Sequence, residues 1–186
     1  MNIPALSPAV ILDRDGILHR DTGYLIRFEE LEPIPGTEDA LRLLQDKGFR
    51  LFVASNQSGV ARGFFSLEDV LALNAKIQGF FLEKGVRIED FAVCPQLPEG
   101  KMAAYAVTCD CRKPKPGMLL DLATRHGLDL SRSYMVGDSV RDVEAGVSAG
   151  ATGVLIRPGP IGTAADKERL NEYPTLLDFA HSVVRV

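Results

Sequence analysis

Two aspartates separated by one residue, Asp13 and Asp15, directly follow the apolar run Val10-Ile11-Leu12, and a third, Asp138, follows the run Tyr134-Met135-Val136. Taken alone, Asp13-Arg14-Asp15-Gly16 is an ordinary polar loop. Three carboxylates gathered at one rim are different: they repel one another unless a cation sits among them, and hard oxygen donors suit Mg²⁺. A Mg²⁺ so held would neutralise a phosphate and let an anionic nucleophile approach it. Ser55 and Asn56, after another apolar run, offer hydroxyl, amide and backbone donors to phosphoryl oxygens. Arg112, Lys113 and Lys115 offer positive charge for the transition state. Each piece is weak by itself, and together they describe a site for phosphoryl transfer.

The elements around these residues alternate. Short apolar runs at 10–12, 49–54, 91–93, 134–136 and 152–156 read as five strands. Helices are expected from Pro35 to about Gly48, from Ser66 to about Lys84, from Met118 to His126, after Asp138 to about Gly150, and from Leu176 to Val184. Ser66 with Asp69 three residues on forms a capping box, and Gly127 closes the third helix. Alternating strands and helices predict an α/β fold, a single parallel sheet covered on both faces, with ligands at the carboxyl ends of its strands. Asp13, Asp15, Ser55, Asn56 and Asp138 all fall just past such ends.

A chain of 186 residues fits one domain over 1–186. With 46% hydrophobic and 25% charged residues its composition is that of a globular protein. The net charge of -4 gives no bulk attraction to nucleic acid or to an anionic membrane. No apolar run reaches the length of a membrane span, and Met1 to Pro8 lacks the pattern of a signal peptide. The expectation is a cytoplasmic protein. Three cysteines, Cys94, Cys109 and Cys111, make an odd number that argues against a disulfide framework, and their clustering raises the question of a metal.

The constellation resembles the four motifs of the haloacid dehalogenase (HAD) superfamily, over roughly residues 9 to 157. That resemblance implies Asp13 as nucleophile and Asp15 as the acid that protonates the leaving oxygen and then activates water. It further implies Ser55 and Lys113 as stabilisers of the phosphoryl group, and Asp13, Asp138 and the backbone carbonyl of Asp15 as Mg²⁺ ligands. Three segments are similar to those of the D-glycero-D-manno-heptose 1,7-bisphosphate 7-phosphatases, with the histidinol-phosphate phosphatases close behind. They are Asp21-Thr22-Gly23-Tyr24, the run from Ser55 to Gly63, and Cys109 to Pro114. The resemblance implies that Asp21, Thr22, Gly23, Tyr24, Asn56, Gln57, Ser58 and Arg112 contact a small phosphorylated sugar, and it favours a monomer. Ile17 and Ser55 stand where Thr is frequent, and Ser139 where some relatives carry a substrate-contacting Lys. The intervals from Asp15 to Ser55 and from Asn56 to Lys113 are too short for an inserted cap, so the site is expected to be open.

Cys94, Cys109 and Cys111 match three of four zinc ligands in that family, defining a zinc loop at 94–111. The fourth, usually His, is Gln96 here. Asp110 or a water would complete a structural Zn²⁺ site, or the thiols stand without an ion. His19, His126 and His181 read as a surface-loop residue, a helix-end residue and a tail residue. Phe64 and Phe65 read as core or loop packing, and Lys115 as an exposed neighbour of Lys113. Two other readings stay open. A polynucleotide 3'-phosphatase would need a basic groove, against the acidic balance. A phospho-receiver module would lack the acid and base supplied by Asp15.

Overall fold

The computed structural model describes residues 6–158 and 171–186. Residues 1–5, part of the segment read for a signal peptide, lie outside that range. Six strands form one fully parallel sheet in the order β3-β2-β1-β4-β5-β6. They are β1 (Ala9–Leu12), β2 (Arg50–Asn56), β3 (Ile88–Cys94), β4 (Tyr134–Gly137), β5 (Thr152–Ile156) and β6 (Glu172–Tyr173). The helices are α1 (Thr37–Asp46), α2 (Gly59–Arg62), α3 (Leu67–Glu83), α4 (Gly117–His126), α5 (Val140–Ser148) and α6 (Leu176–Ser182).

β1 is buried on both faces at every residue, as a central parallel strand must be. Its alternation feeds two cores. Val10 and Leu12 pack with Leu41 and Leu44 of α1, Ile77 and Phe81 of α3 and Phe179 of α6. Ala9 and Ile11 pack on the opposite face with Met118, Leu119 and Leu122 of α4 and Ala145 of α5. The expected capping box opens α3: the Asp69 amide donates to Ser66 Oγ at 3.0 Å, and the Ser66 amide donates to Asp69 Oδ2 at 2.9 Å.

Register brings the chemistry together. Leu12 lies beside Val53 on one side and Val136 on the other, so the chain leaves β1, β2 and β4 along one rim. The chain steps from β1 outward to β2 and β3, then returns across β1 to β4. β1 is therefore the switch point, where a crevice opens in sheets of this kind. Two elements were not foreseen. β6 pairs through only two residues, and α2 is a single turn; neither is long enough to carry a periodic signal. Among the described residues, no folded unit beyond these elements is inserted before Lys113, so none covers the crevice.

Candidate active site

Lys113 is the most enclosed charge at the rim. Its side chain is fully buried, with Nζ 3.0 Å from Asp13 Oδ1, 2.7 Å from Asp142 Oδ1 and donating to the Ala54 carbonyl at 2.7 Å. Burial pushes Asp13 up to about 6 even though Lys113 pulls it down, and the neighbouring charge of Asp142 adds to the rise. Asp138 is raised by burial and by Asp142, with Arg141 pulling the other way. Carboxylate oxygens of Asp13, Asp138 and Asp142 all lie within 4.8 Å of one another. Lys113 takes up Asp142, and the hard oxygens of Asp13 and Asp138 are the donors of this set that fit Mg²⁺.

Asp142 was absent from the sequence reading, yet it is wholly buried. The signal was its place one turn after Asp138, at the third position of α5, where its Oδ2 accepts from the Ser139 amide at 3.1 Å. Gly137 lets it approach, since a Cβ there would collide with the Asp142 side chain. Gly16 does the same for Asp138, in a backbone conformation (φ 81°) that favours glycine.

Asp15 is held from both sides. Oδ1 accepts from Arg14 Nη2 at 2.9 Å and lies 3.3 Å from His19 Nε2. Oδ2 accepts from Gln57 Nε2 at 2.8 Å and, more loosely, from Ser55 Oγ at 3.4 Å. Burial alone would raise this carboxyl, but the His19 ring beside it and the charge and hydrogen bond of Arg14 outweigh it. Asp15 is held well below the usual carboxylate range. His19, expected on the surface, is buried. The loop after β1 folds back on itself and tucks the ring under Asp15, a long-range consequence that no local pattern signals.

A polar cleft of about 270 Å³ opens over these groups. Asp13, Asp15, Asp21, Gly23, Tyr24, Asn56, Gln57, Ser58, Arg112 and Asp138 line it, as does Arg141, which the sequence reading did not single out. Thr22, expected in contact with substrate, is exposed and stands outside the lining. Lys115 is directed elsewhere, to Asp110 and the Cys109 carbonyl. Asn56 has a use that was not foreseen. Its Nδ2 donates to the Lys113 carbonyl at 3.0 Å, and its Oδ1 accepts from the Lys113 amide at 3.1 Å. The side chain clamps the backbone that delivers the lysine. His126 pairs with Asp90 at the far end of β3, away from the cleft.

Beside the cleft the three cysteines converge. Cys111 Sγ lies 2.6 Å from Cys94 Sγ and 3.1 Å from Cys109 Sγ. Gln96 Oε1 joins them, 3.2 Å from Cys94 Sγ and 3.1 Å from Cys111 Sγ. Asp110 points away, its carboxylate 94% exposed and paired with Lys115. Of the two expected completions, Asp110 or a water, Asp110 is therefore corrected, and the Gln96 amide oxygen lies beside two of the three thiols. The loop also carries Arg112, whose Nη1 donates to the Gln96 carbonyl at 3.2 Å.

The comparisons with known proteins agree with this geometry. A haloacid dehalogenase-like hydrolase family model matches residues 5–150. A D-glycero-beta-D-manno-heptose-1,7-bisphosphate 7-phosphatase of Yersinia pestis is 41% identical over 158 residues, covering 84% of this chain and 84% of the relative. A protein of the same name from Rhodopseudomonas palustris is 45% identical over 146 residues, covering 78% and 81%. Among solved structures, D,D-heptose 1,7-bisphosphate phosphatase from B. bronchiseptica, complexed with magnesium and phosphate, superimposes with a TM-score of 0.75. It is 30% identical, and the match covers 94% of this chain and 96% of that one.

The clamp makes a prediction that a mere substrate contact would not. Asn56→Ala leaves the Lys113 amide and carbonyl without partners and lowers stability by about 1–3 kcal/mol. Urea unfolding without substrate measures it, and turnover falls in the same variant. Unchanged stability with only a raised KM would assign Asn56 to substrate alone.

Proposed function

The chain belongs to the haloacid dehalogenase-like hydrolase family and is a phosphatase; we propose that it removes the 7-phosphate of D-glycero-D-manno-heptose 1,7-bisphosphate through a phosphorylated Asp13. The observation that carries this reading is the placement on one cleft of two carboxylates, one beside the Lys113 ammonium and one among hydrogen-bond donors that favour its ionised form. Asp13 is buried beside the Lys113 ammonium at 3.0 Å, and Asp15 is surrounded by hydrogen-bond donors. One is placed to attack and the other to exchange a proton.

In the first step an Asp13 oxygen attacks phosphorus. The bond from phosphorus to the sugar oxygen breaks, and Asp15 gives that oxygen its proton. The surroundings of Asp15 in the free cleft favour the carboxylate, and it takes up that proton beside the incoming anionic phosphate. In the second step Asp15, now a carboxylate, takes a proton from water. The water oxygen bonds to phosphorus, and the bond to Asp13 breaks to release phosphate. Lys113 and Ser55 stabilise the charge that develops on the phosphoryl oxygens. Asp13, Asp138 and the Asp15 backbone carbonyl would hold Mg²⁺, while Asp142 is engaged as the partner of Lys113. When bound, Mg²⁺ supplies the positive charge that lets a carboxylate approach a phosphate.

The substrate assignment rests on the relatives' names and on the lining of the cleft. Arg112 and Arg141 are two cations that the reacting phosphate does not need. They provide a seat for a second phosphate and offset the lysine replaced by Ser139. Asp21, Asn56, Gln57 and Ser58 offer partners for sugar hydroxyls. No helix among the described residues is long and apolar enough to cross a membrane.

The cysteine loop supports a structural Zn²⁺ on Cys94, Cys109 and Cys111, with Gln96 Oε1 as fourth donor. A neutral amide oxygen keeps the same net charge that a neutral imidazole would give beside three thiolates. The ion would tie down the loop that brings Arg112 and Lys113 to the cleft.

Phosphate release should be measured against heptose 1,7-bisphosphate, histidinol phosphate and a 3'-phosphorylated oligonucleotide. The bisphosphate is expected to give the highest kcat/KM, and chelation of Mg²⁺ to stop turnover until the ion is restored. Preference for either other substrate would overturn the assignment, and turnover in chelator would overturn the metal site. For zinc, protein purified without added metal is expected to contain one equivalent. Gln96→Ala is expected to lose it to a weaker chelator than the parent does; a parent stoichiometry near zero excludes the ion.

A further inference from the structure

His19 has no part in the chemistry described so far, yet it is 1% exposed and its ring meets Asp15. The loop after β1 is built to put it there. The Gly16 amide donates to the His19 carbonyl at 2.9 Å, and the Leu18 amide donates to the Arg14 carbonyl at 2.9 Å. The His19 backbone pairs with Asp15 on one side and Pro33 on the other.

The ring has little freedom. Nδ1 lies 2.8 Å from the Arg20 carbonyl; a carbonyl only accepts, so Nδ1 donates and the ring plane is set. That leaves Nε2 packed 3.3 Å from Asp15 Oδ1, short of hydrogen-bond geometry and with no hydrogen-bond partner among the described residues. A bond there takes one proton between ring and carboxylate. Arg14 reaches the same oxygen. It is itself buried and anchored by a bond from Nη1 to Asn74 Oδ1 on α3 at 3.0 Å. One oxygen of the carboxylate is thus hydrogen-bonded by Arg14, braced by a helix across the core, and packed against the His19 ring, braced by its own loop.

We propose that His19 is a positioning residue for phosphoryl transfer, holding Asp15 with Arg14 in the single orientation from which it meets the leaving oxygen. A carboxylate free to turn about its last torsion spends less time aligned, and proton transfer slows with it. The inference rests on the reading of Asp15 as acid and base.

The test uses two leaving groups. A sugar alkoxide needs a proton to depart, whereas the p-nitrophenolate of p-nitrophenyl phosphate departs with little help. His19→Leu is expected to lower kcat on the sugar bisphosphate by roughly 10-fold or more, within the contribution of a positioned acid or base, with KM little changed. The rapid burst of p-nitrophenolate from the aryl ester keeps its rate in the same sample, which also reports a folded site. His19→Asn, polar but too short to reach Asp15, is expected to behave alike should Leu disturb folding. His19→Gln, whose amide nitrogen extends about as far as Nε2, recovers most of the loss.

Unchanged turnover of the sugar bisphosphate in both short variants, or an equal loss in the aryl burst, overturns the role of His19. Asp15→Asn run in parallel separates the two ideas. If it too spares the sugar bisphosphate, the reading of Asp15 fails. If it is selectively slow while the His19 variants are not, only the present inference fails.

Discussion

An ammonium group buried in protein is costly unless carboxylates meet it, and Lys113 is met by two. Most of the cleft follows from that one requirement. Asp142 has to come off the first turn of α5, so Gly137 has no side chain to obstruct it. Asp13 has to stand at the end of β1, within 3.0 Å of the same nitrogen. The loop that delivers the lysine has to be fixed, and Asn56 grips it at both its amide and its carbonyl. Removing either carboxylate would leave a buried charge half paired, so the parts that arrange the nucleophile also sustain the fold.

The second constraint is strand register. Parallel pairing sets Leu12 beside Val53 and Val136. The polar residues that follow, Asp13 and Asp138 past their strands and Ser55 and Asn56 at the last two positions of β2, become neighbours. The sheet positions Asp13, Ser55 and Asp138, while irregular segments supply most of the remaining lining of the cleft. Asp21, Gly23, Tyr24, Gln57, Ser58 and, from the cysteine loop, Arg112 line a cleft that no inserted unit covers among the described residues. A rigid rim carrying the chemistry, with loops carrying the selection, is how one sheet can serve many substrates.

What was legible in the sequence divides along the same line. Asp13, Asp15, Ser55 and Asp138 could be found because each follows an apolar strand, a local signal. The alternation of strands and helices likewise implied the parallel sheet. Asp142 could have been found from its place one turn into α5. Arg14, Asn74 and His19 could not, because their meeting depends on a loop folding back and a helix sixty residues away. Asn56 lay in the expected place with an unexpected partner, since sequence cannot say which way an amide turns. Gln96 looked like a defect in a ligand set, and only the proximity of its oxygen to two thiols gives it a use.

The central claim is that Asp13 takes the phosphoryl group, and the direct measurement is to catch it there. Enzyme should be quenched in acid during turnover of substrate labelled in its phosphate, then cleaved into peptides. The account predicts label on the peptide containing Asp13, stable in acid and released by hydroxylamine as an acyl phosphate is. Label absent during rapid turnover, or carried by another peptide, would contradict it.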